Sequence, residues 1–428
     1  MTSLTRRKFL SQAAHTTTLA GPLLAALSSR GAANDRVVVG IIGVGGMGLG
    51  HVKRLTEGSQ AVVAAVSDVD ESRMDRATKL VKDATGGSPK AVGDFRKLLD
   101  DKSLNAVIVA TPHHWHCPIA IRALEAGKDV YLEKPGSHVF REGRLLVEAA
   151  RKQNRIVQHG TQMRSSEVAA KARELLDSGV IGLVKMSKAW NQQRHKHRQP
   201  VADAPAPPGV DYAMWLGPAP RRPFNPNRFH GNWNWYRDFG NGDIGGDGIH
   251  DLDMALFGLN PKTHPVRITA HGSLIDLTGE TEFPDNMSVA YHFEEGKVLL
   301  YEERGWTPYG HYGFDSGNAF YGTEGFMVFS RRGYFQVYLG KKEEPGPGMR
   351  GGGGYPQHLY NFLDCVRSRR QPIASAETVH RSCALVHLGE IAHRVQRVLH
   401  FDPETETIVN DKEANQLLTK PYTKPWQI

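Results

Sequence analysis

Short apolar runs alternate with longer amphipathic segments between residues 36 and 160. The β-branched run over 36–42 is typical of a strand that is buried on both faces. Further runs of this kind lie at 61–66, 105–110, 129–132 and 156–159. Helices are expected between them, over 49–58, from 71, and over 93–100, 118–126 and 140–153. Strands that alternate with helices predict an α/β fold with a doubly wound parallel sheet.

After about residue 160 the pattern changes. A helix over 167–178 precedes segments whose apolar and polar residues alternate, as in half-exposed strands, at 184–190, 287–293, 297–303 and 324–329. These segments predict a C-terminal α/β domain with a large open, mainly antiparallel sheet. Eight prolines between Pro200 and Pro226 argue against regular structure there. Helices near 355–368 and 376–399 are expected to close the chain.

The chain begins with what looks like a twin-arginine export signal. Arg6 and Arg7 precede a modest apolar stretch, 19–27, and a small-residue cleavage site, 31–33. A disordered basic N-terminus is the alternative. The expected division is 1–33 signal, 34–160 first domain with the parallel sheet, 161–400 second domain with the open sheet, and 401–428 C-terminal tail. The signal predicts export of the folded protein to the periplasm.

Charge and cysteine content narrow the possible partners. The net charge is +8, and half of it comes from the four basic residues among 1–33, where there is no acid. We therefore expect no nucleic-acid partner. No apolar run reaches the roughly 18 residues that span a bilayer, so no membrane insertion is expected. The spacing of Cys117, Cys365 and Cys383 suggests no metal site and no disulfide framework, although a Cys365–Cys383 pair stays open.

The first strand runs into Gly43-Val44-Gly45-Gly46-Met47-Gly48, which matches G-x-G-x-x-G. Such glycines allow a tight turn, close approach of a pyrophosphate, and close packing of the next helix. Asp68 ends the second strand, 20 positions after Gly48, where an acid binds the adenosine ribose. This pattern favours NAD over NADP, although Arg73 lies nearby. A loop aspartate that caps the next helix is the alternative for Asp68.

The strand over 129–132 ends in Glu133-Lys134-Pro135. In an open α/β sheet, ligands bind outside the carboxyl ends of the strands, so Lys134 is placed to meet a substrate. The loop over 111–116 follows another strand and is expected beside the cofactor, with Trp115 near the nicotinamide and His116 facing the substrate. Its three histidines are contiguous and have no nearby acid, so we expect no metal there.

Together, GIIGVGGMG, SDVD, ATPHHWH, EKP and GNGDIGGDGIHDLDM resemble the Gfo/Idh/MocA oxidoreductases over roughly residues 36–400. The resemblance implies a Rossmann domain, a C-terminal domain whose open sheet forms a homodimer or homotetramer, and oxidation of a carbohydrate. It also implies that Lys134 is a catalytic-site residue and that His250 is the general acid/base.

The resemblance is incomplete at one position. Many family members have an aspartate four residues before the histidine, where this chain has Gly246. Asp247 would share a helix face with His250 only if the helix began early, and the glycines at 245, 246 and 248 disfavour that. Lys134 and His250 are nevertheless retained, and Asp247, as the nearest acid before the histidine, is expected as a third catalytic member. Asp251 and Asp253 are expected to be solvated or capping residues.

Three functions stay open. They are an NAD-dependent sugar or polyol dehydrogenase, a redox-neutral NAD-dependent glycosidase or lyase that works through a keto-sugar, and a non-catalytic sugar-binding protein that retains NAD. Cofactor contacts are expected from Gly43, Gly45, Gly46, Met47, Gly48, Asp68, Thr111, Pro112, His114, Trp115, His116, Glu133, Lys134, Pro135 and Gln162. Substrate contacts are expected from Lys134, His116, Arg164, Trp235, Arg237, Asp247 and His250.

Overall fold

The computed structural model describes residues 36–277 and 279–428, so the expected export signal lies outside the described residues. Strands β1–β6 are Val37–Ile42, Ala61–Ser67, Lys90–Val92, Ala106–Val109, Asp129–Leu132 and Val157–His159. Helices α1–α5 among them are Gly46–Glu57, Glu71–Thr85, Phe95–Leu99, His113–Glu125 and Phe140–Lys152. A 3₁₀ turn (Gln162–Ser165) and α6 (Glu167–Asp177) follow.

The six strands form a parallel sheet in the order β3-β2-β1-β4-β5-β6. The order reverses between β2 and β4, on either side of β1, so the carboxyl ends of these strands border a crevice in which nucleotides bind. Helix α1 begins at that edge, directly after β1. The doubly wound sheet predicted from the alternating pattern is confirmed.

The second sheet has ten strands in the order β14-β13-β12-β11-β7-β10-β9-β8-β15-β16. Only β7 and β10 pair in parallel, and the other neighbours are antiparallel. Strands β7–β11 are Met186–Asn191, Arg267–Ser273, Asn286–His292, Val298–Arg304 and Ser316–Tyr321. Strands β12–β16 are Gly325–Ser330, Tyr334–Leu339, Glu344–Arg350, Leu399–Asp402 and Thr407–Ile408. The large, mainly antiparallel sheet is therefore confirmed.

Five more helices complete the fold. They are α7 (Tyr212–Leu216), α8 (Ile249–Leu259), α9 (Tyr355–Ser368), α10 (Ala376–Val395) and α11 (Lys412–Gln416). Helix α8 is preceded by a π-helical turn, Ile244–Gly248. Helix α8 is buried between the second sheet and the rest of the molecule, and α9 packs into the core of the first sheet. No helix among the described residues is long and apolar enough to cross a membrane.

Three expectations about local structure were wrong. The proline-rich segment contains α7, because five residues free of proline follow Asp211, whose side chain caps the helix by accepting from Met214 N at 2.9 Å. Helix α4 begins at His113, so most of the expected loop is helical and Pro118 lies inside a helix. Helix α10 ends at Val395, since Gln396 has a left-handed conformation (φ 53°).

The C-terminal residues are an integral part of the fold. Trp426 is buried, and its ring lies 4.7 Å from that of Trp115 in an edge-to-face contact. Tyr422 Oη donates to Glu142 Oε1 at 2.9 Å, and Lys420 Nζ lies 2.9 Å from the same carboxylate oxygen. The last residues therefore stabilise α4 and α5 of the first domain, which a free tail would not do.

Candidate active site

The glycine turn after β1 has the geometry of a phosphate-binding turn. Gly43 has φ +84°, in the left-handed region that favours glycine. A Cβ at Gly48 would lie 1.8 Å from Gly43 O, so only glycine lets α1 start this close to the turn. By contrast, nothing lies within 4 Å of a Cβ built at Gly46. The turn and the first amides of α1 therefore form a cradle that suits a pyrophosphate.

This turn borders a cavity of about 370 Å³ at the carboxyl edge of the parallel sheet. Eleven of the fifteen predicted cofactor residues line it: Gly43, Gly45, Gly46, Met47, Asp68, Thr111, Pro112, Trp115, His116, Glu133 and Lys134. Gly48, His114, Pro135 and Gln162 lie outside its wall.

Asp68 connects the glycine turn to the end of β2. Its two carboxylate oxygens accept from Val44 N at 2.8 Å and Asp70 N at 3.1 Å. Burial raises the pKa of Asp68 despite these hydrogen bonds. The next helix is capped by Asp70, which accepts from Ser72 N at 2.9 Å, so the capping alternative for Asp68 is wrong. Asp68 is thus free of the cap and lies at the wall of the cavity, where a ribose would bind.

The segment 209–233 of the C-terminal half, here called the strap, lies over the side of the cavity that is next to Asp68. Asp211 N donates to Val69 O at 2.8 Å, and Glu71 N donates to Gly209 O at 3.0 Å. His230 Nε2 lies 2.8 Å from Asp70 Oδ2. The strap adds five residues to the cavity wall: Met214, Trp215, His230, Gly231 and Trp233. It is therefore fastened to the turn that carries Asp68.

The first turn of α4 forms another wall. His116 Nδ1 lies 2.6 Å from Pro135 O, and its Nε2 lies 2.8 Å from Thr111 O. With both nitrogens facing backbone carbonyls, His116 holds two loops together and offers no polar atom to a substrate, contrary to expectation. His114 is fully buried against Trp215 O (2.9 Å), and burial lowers its pKa to about 3. It is a neutral core residue and does not reach the cavity.

Glu133 is a buried carboxylate at the end of β5. Its Oε1 lies 2.8 Å from His51 Nε2 and accepts from Gln162 Nε2 at 3.4 Å. Burial opposes ionisation of Glu133, but the hydrogen bond and charge of His51 and the charge of Lys134 hold its pKa below the ordinary value. Gln162 therefore supports Glu133 from behind the cavity wall and is not itself part of that wall.

Lys134 crosses from the first domain to the π-helical turn. Its Nζ donates to Gly246 O and lies 3.8 Å from Asp247 Oδ1. The turn begins at Ile244, earlier than the glycines suggested, and runs on into α8, so Asp247 and His250 follow one helical path. At Gly248 a Cβ would lie 2.0 Å from Tyr301 Oη, so this glycine allows close packing on the second sheet. The structure thus brings Lys134 and Asp247 together.

His250 lies in the first turn of α8 and is buried. Burial, and after it the positive charges of Lys134 and Arg331, hold its pKa well below the ordinary histidine value, although Asp247 acts in the other direction. At Asp247 burial is outweighed by Lys134 and Arg331, which lower the pKa of this carboxyl. The pair is therefore a neutral imidazole, which can accept a proton during the reaction, beside a carboxylate that stays ionised.

Asp251 and Asp253 were expected to be solvated or capping residues, but both lie inside α8 and are fully buried. Burial raises the pKa of Asp251 to about 8. Asp253 is ion-paired with Arg164, whose Nε lies 2.7 Å from Asp253 Oδ2. The expectation was wrong because α8 is buried on all sides. Two aspartates at alternate positions of the sequence give no sign of this burial.

Three predicted substrate residues do not line the cavity. Arg164 is occupied by Asp253. Trp235 is buried, with the His195 ring at 4.9 Å and the Arg198 guanidinium at 4.5 Å from its ring. Arg237 lies over the Phe283 ring and donates to Glu390 Oε1 at 3.3 Å. Each of the three side chains is thus engaged by other residues of the C-terminal half.

Sequence reasoning missed Arg331, which follows β12 and reaches Asp247 Oδ2 at 3.2 Å. It also missed Gln193, which donates to the same carboxylate. Both lie far from EKP and the glycine turn along the chain, and no motif surrounds them. Trp233 of the strap also contacts α4, since its ring lies 4.7 Å from that of His113.

One cluster remote from the cavity has the spacing of metal ligands. His264, His380 and Glu406 have ligand atoms within 4.8 Å of one another. However, Arg144 Nη2 already donates to Glu406 Oε1 at 2.7 Å, and His380 Nε2 lies 2.7 Å from the same oxygen. We interpret the cluster as a hydrogen-bond network that fastens β15 and β16 to α5 and α10. The three cysteines are buried free thiols, so Cys365 and Cys383 do not pair.

Comparison with known proteins adds two matches of family models. A model described as an oxidoreductase family with an NAD-binding Rossmann fold matches residues 37–161. The C-terminal α/β domain model of the same family matches residues 169–304 and 354–428. Together they cover most of the chain.

Individual relatives are more distant. A myo-inositol 2-dehydrogenase of Thermotoga maritima is 24% identical over 352 residues, which cover 79% of this chain and 91% of that protein. A glycosyl hydrolase family 109 protein of Shewanella pealeana is 36% identical over 107 residues, 24% of this chain and 23% of that protein. Levoglucosan dehydrogenase, solved with NADH and levoglucosan, shares the fold with a TM-score of 0.66 and 20% identity, covering 85% of this chain and 99% of that chain.

Proposed function

The chain belongs to the Gfo/Idh/MocA family of NAD-binding oxidoreductases, and from this premise we propose that it oxidises a carbinol carbon of a sugar, polyol or sugar derivative by hydride transfer to tightly bound NAD. The observation that carries the proposal is Lys134 at the wall of the cavity, in contact with the helix that bears Asp247 and His250. The cradle at Gly43 and Gly48 and the carboxylate of Asp68 fit a dinucleotide.

The residues around Lys134 suit the oxidation of a hydroxyl. NAD, when bound, supplies the hydride acceptor. The Lys134 ammonium has three N–H donors, of which one is donated to Gly246 O, while Asp247 Oδ1 faces the ammonium at 3.8 Å, so that a donor remains for the substrate oxygen. Donation to that oxygen stabilises the negative charge that develops as its proton leaves. His250, neutral at ordinary pH, is the proton acceptor, and Asp247 stabilises the imidazolium that forms.

The test is turnover by variants that keep the cofactor. Lys134→Ala and His250→Ala are expected to abolish reduction of bound nicotinamide by a panel of sugars and polyols, while mass spectrometry still finds nicotinamide nucleotide on the protein. Lys79→Ala, which changes an exposed lysine on α2, serves as the control and should behave as the wild type. Wild-type rates in either site variant would show that the site is misassigned.

A second candidate is a redox-neutral glycosidase or lyase that uses NAD transiently through a keto-sugar. The observation in its favour is the similarity of part of the chain to a glycosyl hydrolase family 109 protein. The same holoenzyme is incubated with aryl glycosides. Release of the aglycone without net reduction of nicotinamide supports this candidate, whereas net reduction with no release rejects it.

Retention of the cofactor is part of the proposal. The strap covers the adenosine side of the cavity and is fastened by two backbone hydrogen bonds and by His230. The purified protein should therefore carry nicotinamide nucleotide at about one per chain. A denatured sample without nucleotide, together with no binding when NAD is added, would reject this.

Export and assembly complete the proposal. Arg6-Arg7 supports a periplasmic location, and the N-terminal sequence of the protein recovered from periplasm should begin near residue 34. A protein that keeps its first residues in the cytoplasm would reject export.

The outer face of the second sheet supports a homodimer or homotetramer. Its middle strands bury alternate residues on the helix side, and the remaining ones, such as Lys188, Ser288 and Glu302, form a shallow depression. Light scattering that finds a monomer would reject assembly.

A further inference from the structure

Arg331 comes from an unexpected direction. It follows β12 in the second sheet, yet its guanidinium reaches the π-helical turn, where Nη2 lies 3.2 Å from Asp247 Oδ2. Its Nε donates to Ser316 Oγ at 2.7 Å, which fixes the orientation of the fork. The side chain is only 13% exposed, so water screens this pair weakly. A sheet residue thus supplies a charge to the active site.

The two oxygens of Asp247 have different partners. Oδ1 faces Lys134 Nζ at 3.8 Å, while Oδ2 faces Arg331 and accepts from Gln193 Nε2. A carboxylate held by a cation at one oxygen cannot rotate away from the cation at the other without losing both contacts. Arg331 is well suited to this role, because its planar fork has fixed donor directions that a lysine lacks.

Gly246 explains why the aspartate needs such support. The position four residues before His250 carries no side chain, so Asp247 is the carboxylate next to Lys134. A Cβ at Gly246 would meet Asn234 Nδ2 at 3.7 Å and Asp243 Oδ1 at 3.9 Å, which is ordinary contact, so packing does not demand glycine there. We propose that Arg331 is a positioning residue of the active site, which holds the Asp247 carboxylate against Lys134.

The neighbouring Asp251 is a second, more distant partner of Arg331. Its Oδ2 lies 3.8 Å from Arg331 Nε, farther than the Asp247 contact. Since burial raises its pKa to about 8, Asp251 is mainly uncharged at neutral pH. The charge of Arg331 is therefore directed to Asp247. For the same reason, removal of Arg331 leaves no ionised Asp251 in the core, and a variant at 331 is expected to fold.

Arg331 also affects proton binding at His250. The charged and titratable groups around His250 are Lys134 after β5, Arg331 after β12, Asp247 on the preceding turn and His159 on β6. Lys134, Arg331 and His159 disfavour the imidazolium, and Asp247 favours it. Loss of Arg331 should therefore raise the pKa of His250, so that the acid limb of kcat against pH moves to higher pH.

The test compares Arg331→Met and Arg331→Lys with Arg332→Met. Arg332 is the adjacent arginine, exposed and paired with Asp315 at 2.7 Å, and provides the matched control. Arg331→Met should lower kcat about 100-fold, the effect of a misplaced catalytic group, with KM and bound nucleotide nearly unchanged. Arg331→Lys should restore the acid limb but only part of kcat. Arg332→Met should match the wild type.

Wild-type kcat and an unmoved acid limb in Arg331→Met would overturn the proposal, as would an equal loss in Arg332→Met. If Arg331→Met does not fold, full kcat in Arg331→Lys still overturns it. The inference rests on the proposed function, so an activity-independent measurement separates the two failures. The protein is labelled with ¹³C at Cε1 of its histidines, and the His250 NMR signal is assigned by its absence in His250→Gln. This signal should titrate at higher pH in Arg331→Met than in the wild type. An unchanged titration rejects the role of Arg331 even if no substrate is found.

Discussion

Two glycines of the same turn should respond to alanine in opposite ways. In Gly48→Ala the new methyl group would lie 1.8 Å from Gly43 O and 2.9 Å from Gly43 C, whereas ordinary contact begins at 3.4 Å. Because both atoms belong to the backbone, the turn itself must move. In Gly46→Ala nothing lies within 4 Å of the methyl group, although Gly46 lines the cavity.

The magnitudes follow from these distances. Forced overpacking costs about 3 kcal/mol, and the better helix propensity of alanine offsets up to about 1 kcal/mol of that. Gly48→Ala should therefore lose about 2 kcal/mol, which lowers Tm by about 2 °C for a chain of 428 residues. Gly46→Ala should keep the Tm of the cofactor-free protein, but it should weaken NAD binding, because its methyl group enters the space above the cradle.

The assay is thermal unfolding of both variants with and without saturating NAD, together with calorimetric titration of NAD. Added NAD should raise Tm less in Gly46→Ala than in the wild type. If Gly48→Ala were as stable as Gly46→Ala, close packing of α1 on the turn would not be the reason for the third glycine. If Gly46→Ala bound NAD as the wild type does, the turn would not be the phosphate site.

Two further predictions concern the C-terminal residues and the strap. Trp426→Ala should lower the free energy of unfolding by about 3 kcal/mol, because Trp426 is buried against Trp115. The control is Tyr309→Ala at a side chain that is 80% exposed, which should change this free energy by less than about 0.5 kcal/mol. Equal chemical denaturation curves for the two variants would contradict the prediction. His230→Ala should speed NAD dissociation at least several-fold, because it removes the contact between the His230 side chain of the strap and Asp70. The rate is measured by trapping the released cofactor, and a variant at an exposed histidine, His400→Ala, is the control. An unchanged rate in His230→Ala would mean that the strap does not retain NAD.

The features that could be predicted from the sequence are those that local chemistry determines. A β-branched run followed by spaced glycines requires a strand, a turn and a helix in that order, and an acid at the end of β2 must lie near the turn because adjacent parallel strands end at the same edge. Lys134 at a strand end could be placed for the same reason. Each of these inferences needs only neighbouring residues and the rules of a parallel sheet.

The rest depends on contacts between distant parts of the chain. Arg331 meets Asp247 only because the second sheet packs on α8, and the strap meets Asp70 only because residues 209–230 fold back over the first domain. His114 and Asp251 belong to residue types that are common in active sites and on surfaces. Burial nevertheless lowers the pKa of His114 to about 3 and raises that of Asp251 to about 8. Burial is a property of the whole fold, so the residues that neighbour His114 and Asp251 in the sequence do not indicate it.

The most direct test is a single-turnover experiment on the purified holoenzyme. A panel of sugars, polyols and sugar derivatives is mixed rapidly with the protein, with no added NAD, and the absorbance of reduced nicotinamide is followed. We predict that at least one compound reduces the bound cofactor in the wild type, and that Lys134→Ala, with the same bound nucleotide, shows no reduction. Reduction at the wild-type rate in Lys134→Ala, or none with any compound in a wild type that carries NAD, would contradict the account.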